Sequence, residues 1–295
     1  MLFEGLEQRE LLATLSVLNT LDSGTGSLRH AIVDAKMSIG HDVITFNIPG
    51  IGVQTIQPLT ALPTITDPVT INGYSQPGSS FNTHAGPNNA VLKIELDGSR
   101  AGSSGGLLIN ASESIVRGLI INRFSRDGIQ MERKGHNVIE GNFIGTDSTG
   151  RVELGNGYGG VGEGSSGFNG AGNGGADYFG ILVGSRVSTL DRTYGSDLNR
   201  IGTNGDRAYD AAERNLISGN DGGEIAIVDV GSDSNVVAGN LMGTDATGTI
   251  SLSVNNDSVG EGGRYSHCPW IAIQSNRYGC KRSFRCDGAQ CNFKA

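Results

Sequence analysis

Carboxylates, guanidiniums, an imidazole and phenols gather in a few short stretches of an otherwise Gly-rich chain. The densest stretch, residues 123–136, carries Arg126, Asp127, Glu132, Arg133 and His136 around one apolar, strand-like run. Downstream come Tyr158, Asp177 and Tyr178, then Asp191, Arg192 and Tyr194. A carboxylate or imidazole sharing a cleft with guanidiniums can move a proton to or from a bound substrate while the cations hold developing negative charge. Asp127, His136, Asp177 and Asp191 are therefore the acid/base candidates. Arg126, Tyr158, Tyr178, Arg192 and Tyr194 are the substrate-binding candidates. The chemistry requires these turns to stack on one side of the fold. The competing reading, which outweighs it, is of solvated turns carrying ordinary surface charge. On that reading Arg126 with Asp127, and Glu132 with Arg133, are local ion pairs worth little.

Other chemistries lack their residues. No Gly-x-Ser-x-Gly elbow lies between a strand and a helix, so a nucleophilic triad is not indicated. Gly-rich runs such as 159–164 have neither the Lys nor the strand-to-helix context of a phosphate loop. No cofactor and no metal are implied. Asp147 and Asp245 sit in Gly-Thr-Asp turns, where an Asp side chain bonds the following backbone amides, and are read as structural.

The elements that must position the candidates repeat. Residues 137–150 (NVIEGNFIGTDSTG) and 235–248 (NVVAGNLMGTDATG) nearly copy each other, and Asn215 opens a shorter echo 20 residues before Asn235. A period near 20 residues is the mark of a solenoid, in which each coil contacts only its neighbours. Short β-branched runs at 15–18, 43–46, 54–56, 69–71 and 92–96 alternate with Gly, Pro and Asn punctuation and read as strands. Asn122, Asn142, Asn220 and Asn240 each follow an apolar run, so stacked coils should align them as one structural ladder at one turn. Residues 151–177 are almost free of aliphatic runs and read as a Gly-rich excursion from one coil.

Composition agrees. Gly accounts for 47 of 295 residues, about double the average usage of roughly 7%, and only 6% are aromatic, so Ile, Val and Leu must fill the interior. The formal charge is −8, and residues 1–260 alone carry −12. Phosphate binding wants a basic face, so a nucleic-acid partner is excluded. No apolar run reaches the ~20 residues of a transmembrane helix, and no complete secretory signal is visible at Met1. One short helix is expected over 27–38, with Ser27 as N-cap, Leu28, Ala31, Ile32 and Ala35 at helical spacing, and Gly40 as the stop.

Two resemblances sharpen this. Residues 3–12 resemble the LEPR-XLL motif of large exported bacterial surface proteins, with Leu6, Glu7, Arg9, Leu11 and Leu12 matching and Gln8 in place of Pro. Residues 26–31 (GSLRHA) resemble the CSLREA-type segment that opens many secreted bacterial parallel β-helix proteins, with Gly26 for Cys and His30 for Glu. The phrases at 42–48, 67–73 and 95–98 resemble the same pectin-lyase-like group, and the likeness covers residues 19–255. It implies an all-β, right-handed parallel β-helix whose short N-terminal helix covers the open end of the stack. It also implies an extracellular or cell-surface location and a polysaccharide partner.

The expected function is polysaccharide binding or a structural role, with the chain monomeric. The alternative is a polysaccharide lyase or glycoside hydrolase working in a groove on one face, with calcium if a lyase. Polygalacturonase-type paired aspartates and Gly-His-Gly are missing, Gly135-His136-Asn137 being only a partial match. The chain thus divides into an N-terminal segment (1–14), a β-helix domain (15–255) and a non-repeat tail (256–295). All four cysteines, Cys268, Cys280, Cys286 and Cys291, lie in the tail with the only Trp, Trp270. A disulfide-pinned cap, a small metal site and an out-of-frame remnant of a longer array all remain open for it, the remnant being preferred.

Overall fold

Alternation of Ile, Val and Leu with polar residues over three to five positions gives strands with one buried face, and stacking closes that face into a core. The computed structural model describes residues 12–38, 40–157, 178–185, 195–252, 271–275, 280–284 and 291–294. Three rows of parallel strands run along it, row A beginning at the first coil and row C only at residue 107. Row A holds β1 (Thr14–Val17), β2 (Asp42–Phe46), β4 (Val69–Asn72), β7 (Ile115–Arg117), β10 (Val138–Glu140), β13 (Arg200–Gly202) and β16 (Val236–Met242). Row B holds β3 (Gln54–Ile56), β5 (Ile94–Asp97), β8 (Leu119–Asn122), β11 (Phe143–Ile144) and β14 (Leu216–Ile217), and also ends on β16. Row C holds β6 (Leu107–Ile109), β9 (Ile129–Met131), β12 (Ile181–Val183), β15 (Ile225–Ile227) and β17 (Ile271–Ser275). The fold is a parallel, β-rich solenoid.

Register places like residues above one another. Ile44, Ile71, Val116, Ile139, Ile201 and Val237 are successive partners in row A. In row B, Ile56, Leu96, Ile121, Ile144, Ile217 and Met242 are successive partners. Ile129, Ile181 and Ile225 continue the pattern in row C. All of these are buried and belong to one continuous core, each contributing about 1.5–3 kcal/mol by leaving water. A helix, α1 (Leu28–Ala35), starts at Ser27, whose hydroxyl accepts from the His30 amide, and adds Leu28, Ala31, Ile32 and Ala35 to that core. It ends at Ala35, three residues before the expected limit of 38.

The asparagines form three ladders rather than one, which corrects the sequence expectation. Between rows C and A, Asn137, Asn199 and Asn235 stack. The Asn199 Oδ1 accepts from the Asn137 amide at 2.9 Å, and the Asn235 Oδ1 from the Asn199 amide at 2.9 Å. Between rows A and B the members are Asn142, Asn215 and Asn240. Between rows B and C they are Asn156 and Asn220. Asn220 and Asn240 are therefore at different corners, and Asn122 belongs to no ladder; its Nδ2 donates to Glu95 and to the Thr146 carbonyl. The misreading has a physical cause: each corner needs an amide that bonds the coils above and below, so Asn recurs at every corner. A coil without insertion takes 23 residues, as from Ser114 to Asn137. The 20-residue echo from Asn215 to Asn235 links two different corners.

Residues 151–157, expected within the Gly-rich excursion, are part of the coil. Glu153 pairs with Thr146 in a small hairpin that Thr244 and Ser251 repeat in the second copy. Asp147 and Asp245 hold these hairpins by accepting from Val152 N at 3.1 Å and Ile250 N at 3.2 Å, which is the structural role expected of them. Strand pairing also continues past residue 255. β17 lies parallel to β15, Ile271 and Ile273 taking the register of Ile225 and Ile227. β18 (Cys280–Phe284) pairs antiparallel with β17, and β19 (Cys291–Lys294) antiparallel with β16. A helical turn, α2 (Asp210–Glu213), interrupts row B's approach to β14.

Candidate functional site

The turn between rows B and C brings together three of the sequence candidates. The Arg126 guanidinium lies 6.0 Å from the centre of the Tyr178 ring. Next to it Asp127 is buried, its Oδ1 accepting from the Phe179 amide at 2.7 Å. The carboxylate thus fixes the backbone where the chain returns to β12. His136 is elsewhere: it is exposed at the corner between rows C and A, beyond β9, with a left-handed φ of 62° and its amide bonded to the Asp197 carbonyl. It does not share a site with Asp127. Tyr158, Asp177, Asp191, Arg192 and Tyr194 lie outside the described residues.

Sequence reasoning passed over the carboxylates beside that corner. Glu224 is buried and accepts from the Asn220 Nδ2 at 2.7 Å. Burial pushes its carboxyl up to about 8, hydrogen bonds from Asn220 and from the Gly219 and Asn220 amides offset part of this, and Glu153 adds to the rise. Burial, and then Asp221, hold Glu153 above the ordinary carboxylate value as well. The signal for Glu224 was present in the repeat. Aligning the two copies sets Asn156 against Val254, so Asn220 has no amide of the next coil at that aligned position. Glu224 supplies the acceptor instead. Among the described residues no group of three or more His, Cys, Asp or Glu is placed to hold a metal.

The outward faces of the rows differ in chemistry. On row B, Ile120, Phe143, Leu216 and Leu241 point outward into a second apolar cluster with Leu92 and Ala246, packed by Tyr74 and Ala90. The insertion between β4 and β5 is lashed over this face. The Tyr74 hydroxyl donates to the Gly141 carbonyl, Asn82 Nδ2 to the Ala211 carbonyl and Arg214 Nη1 to the Gly86 carbonyl, all within 2.8 Å. On row C, Leu182 and Ala226 are likewise buried with Phe179 and Val228.

Row A is different. Ser16, Thr45, Asn72, Arg117 and Glu140 are register partners one above another and form a polar file that is exposed or half-buried. At a strand spacing near 4.8 Å, its five members span about 19 Å. Asn72 Oδ1 accepts from Arg117 Nε at 3.1 Å, and Arg117 Nη1 lies 3.8 Å from Glu140. Arg200 bridges Glu140 at 2.8 Å and Glu213 at 3.3 Å. Both cations are neutralised in place, so the file offers fixed donors and acceptors with little net charge.

No protein-family model matches the chain, and no curated protein sequence matches it significantly.

Proposed function

We propose that the chain is an exported, surface-associated solenoid module that binds a neutral polysaccharide along row A and does not cleave it. The observation that carries this reading is the polar file from Ser16 to Glu140 on row A, whereas the outward residues Ile120, Phe143, Leu216 and Leu241 of row B and Leu182 and Ala226 of row C are apolar and buried. Hydroxyl, amide and paired charged groups repeat there at the strand spacing, which suits the hydroxyls of an extended sugar chain. The −12 carried by residues 1–260 repels polyanions, and Arg117 and Arg200 already face Glu140. A neutral glycan is thus favoured over an acidic one. Export rests on the LEPR-XLL-like residues 6–12.

A panel of neutral and acidic polysaccharides tests this by affinity electrophoresis, read together with release of unsaturated or reducing-end products, with and without calcium. Retardation by a neutral glycan is expected, weakened at least tenfold in Arg117→Ala, with no product formed. Turnover abolished by Glu224→Gln or Asp127→Ala would favour a second reading, a lyase or hydrolase at the Arg126–Tyr178 corner. The specific observation behind that alternative is a glutamic acid with a near-neutral pKa beside the corner.

A further inference from the structure

The polar file of row A ends beside an insertion. From Asn137 to Asn142, and again from Asn235 to Asn240, one corner reaches the next in five residues, whereas the coil between them takes sixteen, from Asn199 to Asn215. One coil past Glu140, β13 ends on Gly202, which has no side chain to carry the file on. The extra residues leave at Thr203 and return through α2. They are bonded straight to the file's end. Gly141 N donates to the Glu213 carbonyl at 3.0 Å, and the Glu213 carboxylate reaches Arg200, which bridges Glu140. The loop is preset by its own side chains: Thr203 Oγ1 donates to Asp210, Asn204 N to Glu213 and Ala208 N to Asp206, all within 2.9 Å.

Tyr209 stands where this loop turns into α2. It is 84% exposed and holds a left-handed φ of 64°, an outlier for so bulky a residue. Its carbonyl accepts from the Ala212 and Glu213 amides at 2.7 and 3.2 Å, which fixes the backbone, while its side chain makes no capping bond. Among the described residues the one other exposed aromatic ring, Phe81, packs on Tyr74 with centroids 4.2 Å apart. Neither packing nor capping accounts for the Tyr209 ring, and backbone strain kept at such a position points to a function.

We propose that Tyr209 is the stacking platform for the sugar at one end of the bound glycan, and that this sugar is a pyranose with equatorial hydroxyls, as in a β-linked glucan. The proposal rests on the row A reading and names the substrate class for it. The file supplies donors and acceptors for hydroxyls but no aromatic face. A pyranose whose hydroxyls are all equatorial turns C–H groups out from both faces of its ring, and these pack on the face of a phenol by dispersion and by attraction to its negative quadrupole. One helical turn, about 5.4 Å, separates Tyr209 from Glu213, so the platform belongs to the Glu140 end of the file rather than the Ser16 end. A ring on a backbone already fixed loses little freedom on binding.

Affinity electrophoresis of the full chain in a soluble β-linked glucan, with calorimetry on a hexasaccharide of the same glucan, tests this. Tyr209→Gly removes the ring and relieves the left-handed φ, so it should weaken binding about tenfold while the thermal transition stays at or above that of the wild type. Tyr209→Asn, which tolerates the same φ, should behave alike, and Tyr209→Phe, which keeps the ring, should recover most of the binding. A Tyr209 held for structure alone would give the reverse, a lower thermal transition in the Gly and Asn variants. Arg117→Ala separates the two readings. Binding lost in Arg117→Ala but unchanged in Tyr209→Gly overturns the platform and leaves the row A reading standing. Binding lost in Tyr209→Gly but unchanged in Arg117→Ala supports the platform and overturns the file. If the wild type ignores the β-linked glucan yet is retarded by another neutral glycan, the platform falls and the row A reading survives.

Discussion

Replacing Asn215 with Ala removes the middle rung of the ladder between rows A and B. The Asn215 Oδ1 accepts from both the amide and the Nδ2 of Asn142, at 3.0 and 3.1 Å, while its Nδ2 donates to the Ile139 carbonyl at 2.8 Å and to Asn240 at 2.9 Å. The Asn142 Nδ2 retains the Val116 carbonyl, and the Asn240 Oδ1 retains the Asn215 amide. Two buried backbone groups lose the partners just described, the Asn142 N–H and the Ile139 C=O. At about 1–3 kcal/mol each, the loss should be about 2–6 kcal/mol. Asn122 provides the comparison, since it is equally buried but stands outside the ladders, and its Oδ1 has no partner. Asn122→Ala leaves one buried backbone group, the Thr146 carbonyl, without its partner and should cost about 1–3 kcal/mol. Asn215→Asp keeps the acceptor but turns a carboxylate toward two oxygens, so it should cost at least as much as Ala at neutral pH and recover in acid. Urea unfolding followed by circular dichroism measures all three. If Asn215→Ala costs no more than Asn122→Ala, the ladders do not hold the coils together and the reasoning fails.

Glu224 and the corner glycines give two further expectations. The folded carboxyl of Glu224 is raised to about 8, so between about pH 4.3 and 8 the folded chain holds a proton that the unfolded chain has released. Stability should fall as pH rises through that window and level off above it; Glu224→Gln should flatten this part of a melting-temperature profile, and an unchanged slope would assign it to other groups. Gly202 has φ +96° and an added Cβ would fall on the Ala238 carbonyl oxygen, whereas Gly205 has φ +73° with open space around it. Gly202→Ala should therefore cost several kcal/mol and Gly205→Ala about 1, an ordering that thermal melts of the two variants check directly.

Strand runs and the helix were legible because their signals are local. Ser27 with Leu28, Ala31, Ile32 and Ala35 is enough to place α1, and Val-Ile-Thr-Phe at 43–46 or Val-Thr-Ile at 69–71 enough to place β2 and β4. Register was not legible, because it depends on how much chain each corner carries. Asn137 and Asn142 are five residues apart and look like one repeated feature, yet they occupy consecutive corners of one coil with β10 between them. The polar file escaped notice for the same reason. Asn72, Arg117 and Glu140 are far apart in sequence and share nothing but their position at the last residue of a row A strand. The alternative of an active groove loses His136, because it assumed that a strand's two flanking turns face one way: Asp127 and His136 lie at opposite ends of β9. Within 256–295 the cysteines and basic residues drew attention away from the Ile-Ala-Ile alternation at 271–273, which is the part that continues row C.

The ladders are unevenly distributed, and that gives the molecule a mechanical polarity. Their first members accept from the amides of Ser114, Leu119 and Phe124, so all three begin in the coil of β7 to β9 and run toward the C-terminus. Before that coil the corners are tied by single side chains, such as Ser75 to the Phe46 amide and Gln76 to the Ile48 amide. Tension applied along the axis is thus shared among three files of amides in one half and falls on the strand hydrogen bonds and a few isolated contacts in the other. A tethered molecule pulled from both ends should yield first through β1 to β5, at low force and in steps of one coil. The stretch from β7 to β16 should hold as a unit until higher load, and a force–extension record that begins to lengthen there instead would show that the ladders carry no tension.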